Sequence, residues 1–137
     1  MADYIASIRL GDDPETAIDP NHVNLAHHIS GSARLEMSRP TGGHLLHMAV
    51  GMCIFNGVLE LAAERSIHLD DLRIDVNGGF AGGDAVASTG ITVDIAVDSP
   101  AEEAEIHRLI TDTTGNSPIS RSLEQGTRVR VGSVTVS

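Results

Sequence analysis

Hydrophobic positions along the chain recur with two different periods, and the change between them divides the sequence into elements. Residues 3–10 (DYIASIRL) and residues 23–29 suggest strands, and residues 33–38 (ARLEMS) alternate in polarity as a half-buried strand does. Between the first two, residues 14–22 are polar, contain Pro14 and Pro20, and predict a loop. From Leu45 to Phe55 the alternation gives way to a run that is apolar in every direction except at His47. A helix apolar all round is buried on most of its sides. Residues 41–66 therefore predict a central helix, capped by Thr41 and about 35–40 Å long at 1.5 Å per residue. Gly51 and Gly57 are the places on it where a neighbouring element could approach closely. Leu72, Ile74 and Val76 then share one face of a short strand. Asn77–Asp84 (NGGFAGGD) is glycine-rich enough to predict a turn or mobile loop. Ile91, Val93, Ile95 and Val97 alternate with Thr92, Asp94 and Ala96, giving the clearest strand in the chain. Ser99-Pro100-Ala101-Glu102 has the form of a capping box opening a helix to about Thr114. Ser117-Pro118 opens a short helix stopped by Gly126, and residues 128–136 alternate as a final strand.

Strands grouped apart from helices predict an α+β fold, an antiparallel sheet packed on a long central helix, within a single domain covering residues 1–137. Its parts are N-terminal strands (1–39), the central helix (41–66), a strand pair (72–97), two helices (100–124) and a last strand (127–136). The size suits one hydrophobic core.

Composition narrows the function. The aromatic residues are Tyr4, Phe55 and Phe80, so aliphatic side chains and methionine must fill the core. The formal net charge is −10, and every basic residue is an arginine. An acidic surface repels phosphate backbones and anionic lipid heads, which argues against nucleic-acid and membrane-surface roles. His44, His47, Asn56 and Glu60 interrupt the central helix and argue against a membrane span. Residues 1–10 carry no signal-peptide pattern, and cytoplasmic localisation is the expectation. The single cysteine, Cys53, cannot form an intramolecular disulfide. It lies mid-helix, among residues expected to be dry. Its chemistry would require a thiolate held by a nearby cation, and otherwise it serves as a small buried hydrophobe.

Three stretches resemble the OsmC/Ohr family of osmotically inducible and organic-hydroperoxide-resistance proteins: the cysteine helix followed by FNGVLELAAERSIHLDDLRIDV, the strand STGITVDIAVDSP running into AEEAEIHRLI, and SPISRSL at 117–123, which is similar to the family's second-cysteine motif. The resemblance covers Pro40 to Val136. It implies an intertwined homodimer with two cysteine helices at its centre, and reduction of organic hydroperoxides through a sulfenic acid on Cys53. It further implies an arginine from the N-terminal strands holding the cysteine as thiolate. Arg9 lies nearest to the expected place, with Arg34 and Arg39 as alternatives. Two positions depart from the pattern. Ser117 stands where the family has its resolving cysteine, and Gly43 stands where the Ohr branch has an activating glutamate.

Two functions follow as expectations. One is a one-cysteine peroxidase, with catalytic Cys53 and Arg9, regenerated by an external thiol. Its apolar pocket would be lined by Met48, Met52, Ile54 and Phe55, with Glu60, Ser117 and Arg121 nearby. The other is a non-catalytic dimer of the same fold holding a small apolar ligand. Ser117 also reads as a simple N-cap for the helix begun by Pro118, and Arg121 as one half of a surface ion pair. His44 and His47 are spaced to share a metal but lie off the Cys53 face, and His27-His28 could complete such a site only through a fold contact. His44 reads as helix-start polarity or pocket lining, and His47 as a hydrogen-bonded residue at the dimer interface. No metal and no cofactor are expected; the 77–84 glycines lack a phosphate-loop pattern.

Overall fold

The computed structural model describes residues 4–10, 22–27, 29–37, 41–82, 87–126, 130 and 133. The elements, in chain order, are β1 (Tyr4–Leu10), β2 (His22–His27), β3 (Gly31–Met37), α1 (Gly42–Glu64), β4 (Asp71–Ala81), β5 (Ala87–Asp98), α2 (Glu103–Gly115) and α3 (Pro118–Gln125). The strands form one antiparallel five-stranded sheet in the order β2-β3-β1-β4-β5. The expected α+β architecture is present. Most of the final strand expected at 127–136, most of the 14–22 loop, His28 and Arg39 lie outside the described residues.

Register explains why one face of the sheet is apolar. Leu35 pairs with Ile8, Ile8 with Ile74, and Ile74 with Ile95, so a single row of branched side chains crosses four strands. Ala6, Val76 and Val93 make the row beside it. A slip of one residue in any strand would turn these rows to water. Onto them packs α1, which buries Met48, Val50, Ile54, Phe55, Val58 and Leu59. Both helix glycines are contact points. A Cβ on Gly51 would lie 2.9 Å from a Val76 methyl, and one on Gly57 would lie 2.7 Å from the Thr113 methyl of α2. By length and apolar composition α1 also meets the requirements of a membrane span, and half of that apolar window is buried within the fold.

The opposite sheet face is polar. Arg34 pairs in register with Arg9, and Arg9 with Arg73, giving an arginine row across three strands. Each guanidinium takes a carboxylate: Arg9 to Asp71 at 3.2 Å, Arg34 to Glu36 at 2.8 Å and Arg73 to Asp75 at 3.1 Å. The hydrogen bond and charge of Asp75 hold the Arg73 pKa above its ordinary value. These exposed pairs offset the arginines' mutual repulsion more than they add stability.

Two local expectations are corrected. Asn77-Gly78-Gly79-Phe80 is part of β4, not a loop, and a register shift between Gly78 and Phe80 carries the strand on to Ala81. Gly78 is there for space: a Cβ would stand 2.4 Å from the Gly90 carbonyl and 2.6 Å from His47 Nε2. The capping box before α2 does not form. The helix starts at Glu103 with Glu102 at the cap position and no side-chain cap bond, while Ser99 Oγ donates to the His68 carbonyl at 2.6 Å. The Thr41 cap on α1 does form, its Oγ1 accepting from the His44 amide at 3.3 Å.

Gly78→Ala should lower unfolding stability by about 1–3 kcal/mol, because a strand carbonyl cannot retreat as a side-chain tip can. Gly115→Ala, at a helix end with nothing within 4 Å of the added carbon, should stay within about 0.5 kcal/mol of the parent. Urea denaturation midpoints at matched m-values distinguish the two.

Candidate functional site around Cys53

Along α1, Cys53 is only half-buried, although its neighbours Ile54 and Phe55 are 3% and 0% exposed. The helix presents Ile54, Phe55 and Val58 to the core and turns Cys53 toward the junction of α1 with α2 and α3. There it forms part of the wall of a cleft of about 450 Å³, with Asn56, Glu60, Glu64, Asp112 and Ser117 among its other lining residues.

Ser117 makes a hydrogen bond to the sulfur. Its hydroxyl donates to Cys53 Sγ at 3.2 Å, and Ser120 in turn donates to Ser117 Oγ at 3.2 Å. Ser117 does occupy the N-cap position of α3, with Pro118 behind it, but its side chain makes no cap bond. The plain N-cap reading is thereby corrected. At 3% exposed, Ser117 gives the sulfur a donor that little water can displace. A preorganised donor of this kind stabilises negative charge that builds on the atom it faces.

Asn56 leads away from the cleft to a second polar chain. His27 Nδ1 accepts from the backbone amides of Ile29 and Ser30, so its proton sits on Nε2, which donates to Asn56 Oδ1. The His27 ring meets Phe55 edge-on. Among the described residues no group of three or more His, Cys, Asp or Glu side chains is placed to hold a metal ion.

The cation expected beside Cys53 is not supplied by Arg9 or Arg34 within one chain. Both alternate with the buried Ile8, Ala33 and Leu35, so strand pleating turns them to the polar sheet face, away from α1. Arg121 is exposed on α3 and is not part of the cleft lining. Met48 and Phe55, expected to line an apolar pocket, are core residues at 5% and 0% exposed, and Met52 packs half-buried against that core. Ile54 does border an apolar cleft, on the side of α3 away from the Cys53 cleft. Glu60 falls in the Cys53 cleft, as its seven-residue spacing implies.

Gly43 lies against the Tyr4 ring. A Cβ there would stand 2.1 Å from a Tyr4 ring carbon, so the Tyr4 ring fills the space a side chain would need. Tyr4 stacks on His47 with ring centroids 5.5 Å apart, and Phe80 meets the Tyr4 ring edge-on at 5.1 Å. His47 is an interior residue of this cluster, with no exposed surface. Its Nδ1 donates to the Gly43 carbonyl at 2.6 Å, which leaves Nε2 a bare acceptor, buried and unpartnered among the described residues. His44 is buried beside Thr41 and the Tyr4 ring, which fits its reading as helix-start polarity. Sequence spacing placed none of these ring contacts, because Tyr4 and Phe80 reach α1 only through strand pairing.

The fold recurs in known proteins. The chain is similar to a crystal structure of an OsmC-like hydroperoxide resistance protein from Jannaschia sp. CCS1, with a TM-score of 0.61 and 14% identity over 98% of this chain and 97% of that one. It is also similar to an OsmC-like protein from Mycoplasma pneumoniae, with a TM-score of 0.57 and 16% identity over 80% of this chain and 89% of that one. No curated protein sequence matches it. At these identities the structural likeness establishes the fold, and the sequence profile of the OsmC-like proteins matches residues 35–132. On that match, which spans the cysteine helix, both later helices and the Ser117 segment, the chain belongs to the OsmC-like protein family.

Proposed function

We propose that the protein reduces organic hydroperoxides through Cys53 as a one-cysteine thiol peroxidase, acting in oxidative-stress defence. The observation that carries this reading is the 3.2 Å contact between Ser117 Oγ and Cys53 Sγ at the wall of an open cleft. In this reading Ser117 stands in the place of a second cysteine, and its contact with Cys53 supports it.

In the first step Cys53 sulfur attacks the terminal peroxide oxygen. The O–O bond breaks, Cys53 becomes a sulfenic acid, and the alkoxide leaves with a proton as the alcohol. Ser117 donates to the sulfur throughout, with Ser120 fixing its orientation. A hydroxyl cannot form a disulfide, so an external thiol must complete the cycle.

The functional unit in this reading is a homodimer. Leu45 is 51% exposed, and Ala49 and Met52, four and three residues further along the same side of α1, are only half-covered. A second α1 laid on this side would cover them, and a cation from the partner could then approach Cys53. The competing reading, a non-catalytic dimer, draws support from Gly43 and from the capture of Arg9 by Asp71.

Treatment with cumene hydroperoxide in the presence of dimedone should label wild type and leave Cys53→Ser unlabelled, read by intact-protein mass. Wild type that neither labels nor consumes peroxide would establish the non-catalytic reading. Ser117→Ala should slow labelling roughly tenfold, the scale of one hydrogen bond to a charge-bearing atom. Ser117→Cys should form an intramolecular disulfide with Cys53 on peroxide treatment, seen as a dimedone-resistant product that dithiothreitol reverses. Light scattering on a sizing column should return twice the mass of the chain.

A further inference from the structure

We propose that Asn56 is a catalytic residue of the peroxide reaction, its side-chain amide donating to the alkoxy oxygen that leaves as the O–O bond breaks, and that His27 is the positioning residue that orients it. The inference rests on the peroxidase reading above and adds the group that receives the leaving oxygen.

Cys53 and Asn56 stand three residues apart on α1, a spacing that makes their side chains neighbours, with Cβ atoms roughly 5–6 Å apart. Both line the cleft of about 450 Å³. The orientation of the Asn56 amide is fixed from outside the helix, by the last residue of β2. His27 Nδ1 accepts from the backbone amides of Ile29 at 3.3 Å and Ser30 at 3.2 Å, which puts the ring proton on Nε2. Nε2 therefore donates, and the Asn56 atom that meets it is the acceptor, Oδ1. The ring is also held edge-on against the fully buried Phe55, with centroids 5.3 Å apart. With Oδ1 taken, the two N–H groups on Nδ2 point elsewhere. Nδ2 has no hydrogen-bond partner among the described residues. It is not sealed in the interior either, as Ser32 Oγ and His47 Nε2 are. Asn56 is half-buried and forms part of the cleft wall, so these unused donors open onto the cleft. Asparagine is a weak helix former placed directly after the apolar run of α1. Such a local conflict is what functional positions impose on a sequence.

A peroxide in position for attack has its terminal oxygen roughly 3–3.5 Å from the sulfur, with the alkoxy oxygen one bond further along the line of attack. A side chain one helical turn from the cysteine, on the same face, is within reach of that second oxygen. As the S–O bond forms, the terminal oxygen keeps its hydrogen and becomes the sulfenic hydroxyl. The O–O bond breaks and its electron pair passes to the alkoxy oxygen. That oxygen takes up, through water, the proton given up by the Cys53 thiol and leaves as the alcohol. Asn56 transfers no proton; its N–H faces the charge that builds on the leaving oxygen. The two donors thus divide the work. Ser117 donates to the sulfur before the reaction as well as during it. Asn56 meets negative charge only as the bond breaks, and an interaction made only then accelerates the step. A donor already fixed in place costs no reorganisation at that moment, and the His27 anchor supplies the fixing.

The test treats the full chain with cumene hydroperoxide, whose leaving alkoxide is strongly basic, and with peracetic acid, whose leaving carboxylate needs little help. A dimedone arm on wild type first establishes the sulfenic acid; absence of the adduct overturns the peroxidase reading and this inference with it. Asn56→Ala should slow adduct formation with cumene hydroperoxide roughly tenfold or more, and with peracetic acid far less. Alkylation of Cys53 by iodoacetamide, which releases no oxygen, should be as fast as in wild type. Asn56→Asp keeps the size of the side chain and replaces its donors by acceptors, so it should be at least as slow with cumene hydroperoxide as Asn56→Ala. His27→Ala should show the same dependence on the leaving group at smaller size. Equal slowing with both oxidants, or none, in a protein that still labels overturns the role of Asn56 alone. Should the variants fail to fold, wild type still decides. Across a series of hydroperoxides its rate should fall less steeply with leaving-group basicity than that of N-acetylcysteine, and an equal slope overturns the proposal.

Discussion

A helix that is apolar on every side has to be covered on every side, and much of this fold answers that requirement. The sheet covers one side of α1 through the row Leu35, Ile8, Ile74 and Ile95, and α2 covers another where Thr113 meets Gly57. Close approach is possible because Gly51 and Gly57 lack side chains at the contact points. Position 53 falls where these two coverings end. The sulfur is reachable for the same reason that the helix is well packed: the core elements diverge there and α3 begins.

Much of this was legible in the primary structure. Strand alternation at 91–97, the uniform apolar run at 45–55 and the proline-then-glycine punctuation of 118–126 each follow from short-range rules, and all three elements are present. The failures lie where tertiary contact outweighs a local signal. Asn77–Phe80 carries glycines that read as a loop, yet Gly78 is small because Gly90 and His47 press on it. Ser99 has the right sequence for a cap, but its oxygen accepts from the Ala101 amide, ahead of a helix that starts only at Glu103, while its proton goes to the His68 carbonyl. Ser117 reads as a cap and instead faces a sulfur 64 positions earlier in the chain. Capping rules alone carry no information about a partner at that separation; only the family likeness of SPISRSL pointed toward Cys53.

The site was legible in part for the same reason. Cys53 stood out as the single cysteine, and Glu60 followed from helical spacing. Arg9 was placed near the cysteine by family likeness, whereas strand parity sets it on the other face of the sheet, within reach of Asp71. Strand parity was readable from Ile8 and Leu10, and it would have shown that Arg9 and the helix occupy opposite faces of one chain.

The Tyr4 ring has a consequence for how this chain could change over time. It occupies the volume beside Gly43, stacks on His47 and meets Phe80, so one side chain closes the space beside the first turn of α1. A side chain at position 43 must displace the Tyr4 ring, and a smaller residue at position 4 leaves a hole beneath the helix unless something fills it. The two positions are coupled, and each single step leads through a less stable protein. Such coupling acts as a latch on the sequence: with the aromatic ring in place, a side chain at position 43 calls for a compensating change at position 4, while the Ser117 position stays one substitution away from a second thiol.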